Sequence, residues 1–155
     1  MPDIGEKAPD FALYDADKKV RRLSEFLVRG RRTIIAFFPG AFTGVCTQEM
    51  CTFRDMYKEL ESLNGAVVGI SVDAPFAQKA FAEKNALSFP LLCDFKREVI
   101  QEYGVPWNNL SGVVGYVCAN RAVFVVDDQG IIRYMWVAPN PGMLPDFDEV
   151  KRALH

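Results

Sequence analysis

The chain has 155 residues, which is the size of one domain and is large enough to bury a substantial core. Half of its residues are hydrophobic and its net charge is −2, so neither nucleic acid nor an anionic membrane surface is an expected partner. The N-terminal segment is charged, and no stretch approaches the roughly 18 apolar residues of a membrane span. We therefore expect a single domain over residues 1–155 in a soluble, cytoplasmic protein that does not associate with membranes.

The first half of the chain alternates between strand and helix patterns. An apolar, β-rich run at residues 33–38 (TIIAFF) has the length of a buried strand, and Pro39 and Gly40 end it. Apolar residues then recur every three or four positions from 46 to 64, which predicts a helix. The other elements predicted in this half are a short strand near 11–14, a strand at 66–72 and a helix at about 75–84.

The second half predicts shorter elements. Asp94 is placed to cap a helix that reaches Tyr103, and Pro145 is placed to open the last helix. Strands are predicted at 89–92, 122–127 and 131–137, and the last two are joined by Asp128-Gln129-Gly130, which has the length and glycine placement of a three-residue hairpin. Strand–helix–strand units followed by a hairpin indicate an α/β fold with a central mixed sheet flanked by helices.

Cys46 lies where the strand at 33–38 gives way to a helix. On the first helical turn, unpaired backbone N–H groups and the positive end of the helix dipole favour a thiolate over a thiol. Cys46 is therefore a candidate nucleophile.

The helix end is not sufficient to ionise a thiol fully. The dipole contributes about 0.3–1 kcal/mol at an exposed site and about 2 kcal/mol in a favourable one, whereas two pKa units require about 2.7 kcal/mol. A second positive group is needed, and the only histidine is His155, the last residue of the chain. This disfavours a Cys–His hydrolase. An arginine stays charged but cannot act as a general base, so redox chemistry at sulfur fits better.

Cys46 and four residues near it carry a family resemblance. Pro39, Thr43 and Cys46 reproduce the P-x-x-x-T-x-x-C signature of the peroxiredoxins, and Glu49 matches an acidic residue often found three positions after the cysteine. Cys51 resembles the second cysteine of the Q-type (bacterioferritin comigratory protein) subgroup. The resemblance implies a thioredoxin-like fold and a thiol-dependent peroxidase.

Two further segments extend the resemblance over nearly the whole chain. Residues 5–11 (GEKAPDF) are similar to the N-terminal segment of the peroxiredoxins. Residues 120–127 (NRAVFVVD) resemble the strand that brings in the active-site arginine, which is Arg121 in this sequence. A guanidinium there would favour the thiolate of Cys46 and donate hydrogen bonds to a peroxide.

The remaining roles also follow from the resemblance, and each has a simpler alternative. Thr43 would direct its hydroxyl at the peroxide, but a threonine there is also a helix N-cap. Glu49 would hold the arginine, but an acid on the first turn is favoured by the dipole alone. Pro39 would shield the thiolate from water or only end the strand, and Arg121 would otherwise be a solvated charge at a strand end.

The resemblance implies that Cys51 resolves a sulfenic acid on Cys46 as an intramolecular disulfide, which a thioredoxin-like or other dithiol reductant then reduces. Positions five apart in a helix are separated by about 7.5 Å of rise and roughly 140° of rotation. A disulfide needs Cα atoms about 4.4–6.8 Å apart, so this helix would have to unwind. The alternatives are resolution by Cys118, by a partner chain or by an external thiol. Cys93 and Cys118 are expected to be buried structural thiols.

Other functions and ligands are less favoured. A non-catalytic redox sensor or interaction domain on the same fold is the main alternative, and the lack of C-x-x-C weakens a thiol–disulfide reductase. No metal site is expected, because the cysteines lack paired spacing. Neither G-x-G-x-x-G nor a P-loop occurs, so no cofactor is expected. A hydroperoxide is the expected substrate, and both a monomer and a homodimer remain open.

Overall fold

The computed structural model describes all 155 residues and contains nine strands and six α-helices. The strands are β1 (Ala12–Asp15), β2 (Val20–Arg22), β3 (Arg32–Phe37), β4 (Gly65–Ser71), β5 (Leu91–Cys93), β6 (Pro106–Asn108), β7 (Val117–Ala119), β8 (Ala122–Val126) and β9 (Ile132–Val137). The helices are α1 (Leu23–Phe26), α2 (Gly44–Asp55), α3 (Tyr57–Ser62), α4 (Pro75–Lys84), α5 (Glu98–Glu102) and α6 (Phe147–Arg152).

A seven-stranded sheet in the order β2-β1-β5-β4-β3-β8-β9 forms the centre of the fold. β3 is parallel to β4 and β4 to β5, whereas every other neighbouring pair in this sheet is antiparallel. The predicted mixed sheet is therefore confirmed. None of the helices has the length and hydrophobicity that crossing a bilayer requires.

The central strands are buried on both faces. In β3, Ile34 and Ala36 contribute to one hydrophobic cluster, whereas Ile35 and Phe37 contribute to another. Because successive side chains of a strand point to opposite faces, this division shows that each side of the sheet has its own core. Burial on both faces is the reason that the sequence of β3 is continuously apolar rather than alternating.

The prediction of a single helix over residues 46–64 is wrong. The structure has two helices, α2 and α3, separated by Met56, whose ψ of −3° departs from helical geometry. Hydrogen bonds continue across the break, from Met56 N–H to Thr52 O at 3.0 Å and from Leu60 N–H to Met56 O at 2.9 Å. The spacing of apolar residues survives such a local change in direction, so the periodicity could not reveal it.

Two predicted helix starts are also wrong. α6 begins at Phe147 rather than at Pro145, because Asp146 is the N-cap and its carboxylate accepts from the N–H groups of Asp148 and Glu149. α5 begins at Glu98, later than a cap at Asp94 implies. The Asp94 carboxylate nevertheless accepts from two N–H groups of α5, those of Val99 and Ile100.

The other predicted elements are observed with ends shifted by at most two residues. The last hairpin has the predicted connection, since Asp127 N–H donates to Ile131 O and Gly130 has a φ of 79°. The sequence did not indicate β2, α1 or the antiparallel ribbon of β6 and β7, which are all short.

Candidate active site

Cys46 lies in the first turn of α2 and is only 1% exposed. Strand β3 ends at Phe37, and the chain reaches the start of α2 through residues 38–43. Cys46 therefore lies on the helical turn whose backbone N–H groups are unpaired, as the sequence predicted.

Arg121 reaches the same edge of the sheet from a distant part of the chain. It immediately precedes β8, which runs antiparallel to β3 with Ala122 opposite Phe37. Hydrogen bonds hold its backbone: Arg121 N–H donates to Asn120 Oδ1 at 2.8 Å, and Ala138 N–H donates to Arg121 O at 2.9 Å. The register of β8 on β3 thus brings the arginine beside Cys46.

The buried guanidinium of Arg121 connects three groups. Nη2 donates to Cys46 Sγ at 3.1 Å, and Nη1 donates to Glu49 Oε1 at 2.9 Å. Nε and Nη2 also donate to the carbonyl of Pro141, at 3.1 and 2.9 Å. A buried guanidinium needs hydrogen-bond acceptors, and here a carboxyl oxygen, a carbonyl and a sulfur fix its orientation.

Glu49 is fully buried on the next turn of α2. Burial raises the pKa of its carboxyl to about 7, against the opposing effect of Arg121. Its second oxygen, Oε2, has no hydrogen-bond partner. The predicted contact between this acid and the arginine is therefore present, in a setting that disfavours the ionised carboxylate.

Thr43 occupies the N-cap position of α2, but its side chain does not cap the helix. Its hydroxyl lies 2.8 Å from Gly40 O, and a carbonyl can only accept, so the hydroxyl is the donor. The expectation of side-chain capping is wrong because this donor–acceptor pair orients the hydroxyl back into the loop. The lone pairs of the exposed Thr43 oxygen remain available to accept a hydrogen bond.

Asp73 fixes the loop that precedes α2. Its Oδ2 accepts from Ala41 N–H at 2.8 Å and from the Ser71 hydroxyl at 2.6 Å. Phe42, at a φ of 65°, packs against Phe81 with ring centroids 5.4 Å apart. The sequence did not identify Asp73, because nothing in the pattern links the end of β4 to this loop.

A pocket of about 260 Å³ opens over the Cys46 sulfur. It is lined by Pro39, Thr43, Gly44, Val45, Cys46, Leu110, Ser111, Arg121, Pro141 and Gly142. The sequence missed Leu110 and Ser111, which lie in a three-residue 3-10 helix (Leu110–Gly112), and Pro141 and Gly142, which lie in the loop after β9. A small ligand in this pocket meets a sulfur, a guanidinium donor and a hydroxyl acceptor.

The other cysteines lie outside this pocket. Cys51 is partly buried on intact α2, and its Sγ lies 3.6 Å from Asn85 Oδ1. All four cysteines are free. Cys93 and Cys118 are buried, as predicted, and burial raises their pKa values to about 12 and about 11. No three His, Cys, Asp or Glu side chains are grouped so as to hold a metal ion.

The chain is similar to known proteins in both sequence and fold. Residues 4–135 match the family described as AhpC/TSA. The chain is 40% identical over 137 residues to alkyl hydroperoxide reductase E of Mycobacterium bovis, covering 86% of this chain and 84% of that protein. It is also 36% identical over 132 residues to the chloroplastic peroxiredoxin Q of Populus jackii. This match covers 85% of this chain and 59% of that longer protein. The crystal structure of peroxidoxin BcpB from Mycobacterium tuberculosis superposes with a TM-score of 0.86 at 30% identity, over 99% of this chain and 97% of that chain.

Proposed function

Because the chain belongs to the AhpC/TSA family of peroxiredoxins, we propose that it reduces hydrogen peroxide and organic hydroperoxides with Cys46 as the nucleophile. The observation that carries this proposal is the 3.1 Å contact from Arg121 Nη2 to Cys46 Sγ at the base of an open pocket. A cation that cannot accept a proton stabilises the thiolate without competing for it.

The first step is attack of the Cys46 thiolate on one peroxide oxygen. A sulfur–oxygen bond forms, the oxygen–oxygen bond breaks, and the peroxide proton ends on the leaving oxygen, which departs as water or an alcohol. This leaves a sulfenate on Cys46, and a proton from solvent converts it to the sulfenic acid. Negative charge develops on the leaving oxygen, and Arg121 is a preorganised donor for it.

The surrounding residues orient the peroxide and the arginine. The Thr43 hydroxyl accepts the O–H of the peroxide, since its own hydrogen is directed at Gly40 O. Glu49 acts through Arg121 and is therefore a positioning residue. Pro39 lines the pocket beside the sulfur and limits the access of water.

Resolution then requires a second thiol, and Cys51 supplies it. The Cys51 sulfur bonds to the Cys46 sulfur, the sulfur–oxygen bond breaks, and water leaves with the thiol proton. Both cysteines lie within α2, so its first turns must open before the two sulfurs meet. This places resolution on a local unfolding equilibrium. A thioredoxin-like or other dithiol reductant then reduces the disulfide and regenerates both thiols. We also propose a cytoplasmic location, and either a monomer or a homodimer is compatible with this cycle.

Steady-state consumption of hydrogen peroxide in the presence of a dithiol protein reductant tests this function. We expect sustained turnover by the wild type and by Cys93→Ser, a matched variant whose thiol lies outside the pocket. Consumption of a single equivalent without recycling would instead indicate a redox sensor. Disulfide reduction without peroxide turnover would indicate a thiol–disulfide reductase.

A further inference from the structure

Asn85, which follows the last residue of α4, makes two contacts with the second half of α2. Its backbone carbonyl accepts from Arg54 Nη1 at 2.7 Å, and its side-chain Oδ1 lies 3.6 Å from Cys51 Sγ. No other side-chain hydrogen bond joins α4 or its C-cap to α2. One residue therefore contacts both Cys51 and the arginine that follows it by three positions.

The side chain of Asn85 is itself fixed in orientation. Its Nδ2 donates to Phe81 O at 3.0 Å, and the Phe81 side chain is fully buried. Because the NH2 group is committed to this carbonyl, the amide oxygen is the atom that faces Cys51. A carbonyl oxygen can only accept, so the Cys51 S–H is the donor in this contact.

We propose that Asn85 is a positioning residue for resolution, which holds the Cys51 thiol in the folded helix and sets the rate at which Cys51 reaches Cys46. This inference rests on the proposed function. The bond to Cys51 breaks when the helix opens, whereas the Arg54 contact uses only the backbone of Asn85. The C-terminal end of α2 therefore stays attached to α4, and unwinding is confined to the turns before Arg54.

The release of Cys51 competes with a second oxidation. Before Cys51 reaches the sulfenic acid on Cys46, a second peroxide molecule can transfer an oxygen to that sulfur, giving a sulfinic acid and water or an alcohol. Resolution instead removes the oxygen as water and forms the disulfide. A contact that retains Cys51 in the helix thus lengthens the lifetime of the sulfenic acid and lowers the peroxide concentration that inactivates the protein.

Two substitutions separate the contact between Asn85 and Cys51 from the hydrogen bond that Asn85 Nδ2 donates to Phe81 O. Asn85→Ala removes the amide oxygen and the NH2 group but keeps the carbonyl that binds Arg54. We expect disulfide formation to accelerate by about two- to tenfold, the change that one net hydrogen bond produces. Asn85→Asp loses the donor to Phe81 O but keeps an acceptor for the Cys51 thiol. Its added negative charge strengthens the bond from the Cys51 S–H, so we expect no acceleration.

The experiment mixes reduced protein with one equivalent of hydrogen peroxide and traps the remaining sulfenic acid with dimedone at successive times. Mass spectrometry then quantifies the trapped, disulfide and sulfinic forms of Cys46. Glu83→Ala, on the exposed face of the same helix turn, is the matched control and should follow the wild type. In a Cys51→Ser background, Asn85→Ala should leave the lifetime of the sulfenic acid unchanged.

The possible results test the role of Asn85 separately from the proposed peroxidase function. If Cys46 forms no sulfenic acid, or the wild type forms no disulfide between Cys46 and Cys51, the proposed function fails. If the disulfide forms normally but Asn85→Ala does not accelerate it, the role of Asn85 is refuted. An equal acceleration in Asn85→Asp would also refute that role, because the effect would then come from the Phe81 contact.

Discussion

The guanidinium of Arg121 donates to the sulfur of Cys46 over 3.1 Å, although the two residues lie 75 positions apart in the chain. The antiparallel register of β8 on β3 creates this proximity, and Glu49 and the Pro141 carbonyl hold the guanidinium in place. Cys46 in α2 and Arg121 beside β8 therefore come from different elements that meet at one edge of the sheet.

Cys46→Ser is expected to abolish peroxide consumption while leaving the fold intact. A serine hydroxyl has nearly the shape of a thiol but is not ionised near neutral pH. Peroxide consumption and circular dichroism of the variant check this expectation, with Cys93→Ser as the control. Continued turnover by a well-folded Cys46→Ser protein would assign the nucleophile elsewhere.

Arg121→Gln is expected to slow the reaction with peroxide by more than tenfold. The variant loses the charge that favours the thiolate and the donor that meets the leaving oxygen, and tenfold corresponds to only about 1.4 kcal/mol. Stopped-flow oxidation kinetics and the ultraviolet absorbance of the thiolate as a function of pH measure the two effects. Arg121→Lys should recover only part of the rate, since an ammonium cannot reproduce the guanidinium fork. Wild-type kinetics in both variants would remove Arg121 from the site.

Thr43→Val is expected to reduce the rate of peroxide reduction, whereas Thr43→Ser should retain most of it. Valine has the shape of threonine but lacks the hydroxyl that donates to Gly40 O. It therefore also lacks the oxygen that we propose accepts a hydrogen bond from the peroxide. The loss of one aligned hydrogen bond corresponds to roughly a tenfold decrease. A Thr43→Val variant that reduces peroxide at the wild-type rate would show that the Thr43 hydroxyl does not contact the substrate.

Glu49→Gln is expected to change how stability depends on pH. The raised pKa of about 7 means that the folded state binds a proton more tightly than the unfolded chain does. The stability from protonated Glu49 is therefore fully present below the ordinary value of 4.5 and is lost as the pH rises through about 7. Glutamine stays neutral and still accepts from Arg121, so the stability of the variant relative to wild type should rise over this range.

Urea denaturation of both proteins across this pH interval measures the difference. The free energies of unfolding should diverge as the pH increases. A difference that does not vary with pH would show that the Arg121 pair keeps Glu49 ionised throughout.

The sequence predicted the family, the α/β fold and the thioredoxin-like architecture, and the comparisons confirm all three. The position of Cys46 could be predicted from a local pattern, a buried strand followed by helical periodicity. The position of Arg121 could not be predicted in that way. Its position depends on the pairing of β8 with β3, which only the family resemblance indicated.

The parts that the sequence did not reveal depend on contacts between distant loops and helix ends. The carbonyl of Pro141 binds Arg121, and Asp73 binds the loop at Ala41, yet neither residue stands out in its own segment. Asn85 lies beside Cys51 only because α4 packs near α2. Periodicity and capping rules describe neighbours in sequence, so they carry no information about such contacts.

We propose that peroxide oxidises Cys46 and that Cys51 resolves the sulfenic acid after α2 opens. Peptide mapping of the non-reduced protein after one equivalent of peroxide, with amide exchange followed across residues 44–55, distinguishes this route from the alternatives. We expect a disulfide between Cys46 and Cys51, together with faster exchange in the first turns of α2. A crosslink involving Cys118 or another chain, or a Cys51→Ser variant that cycles at the full wild-type rate with a dithiol protein reductant, would contradict it.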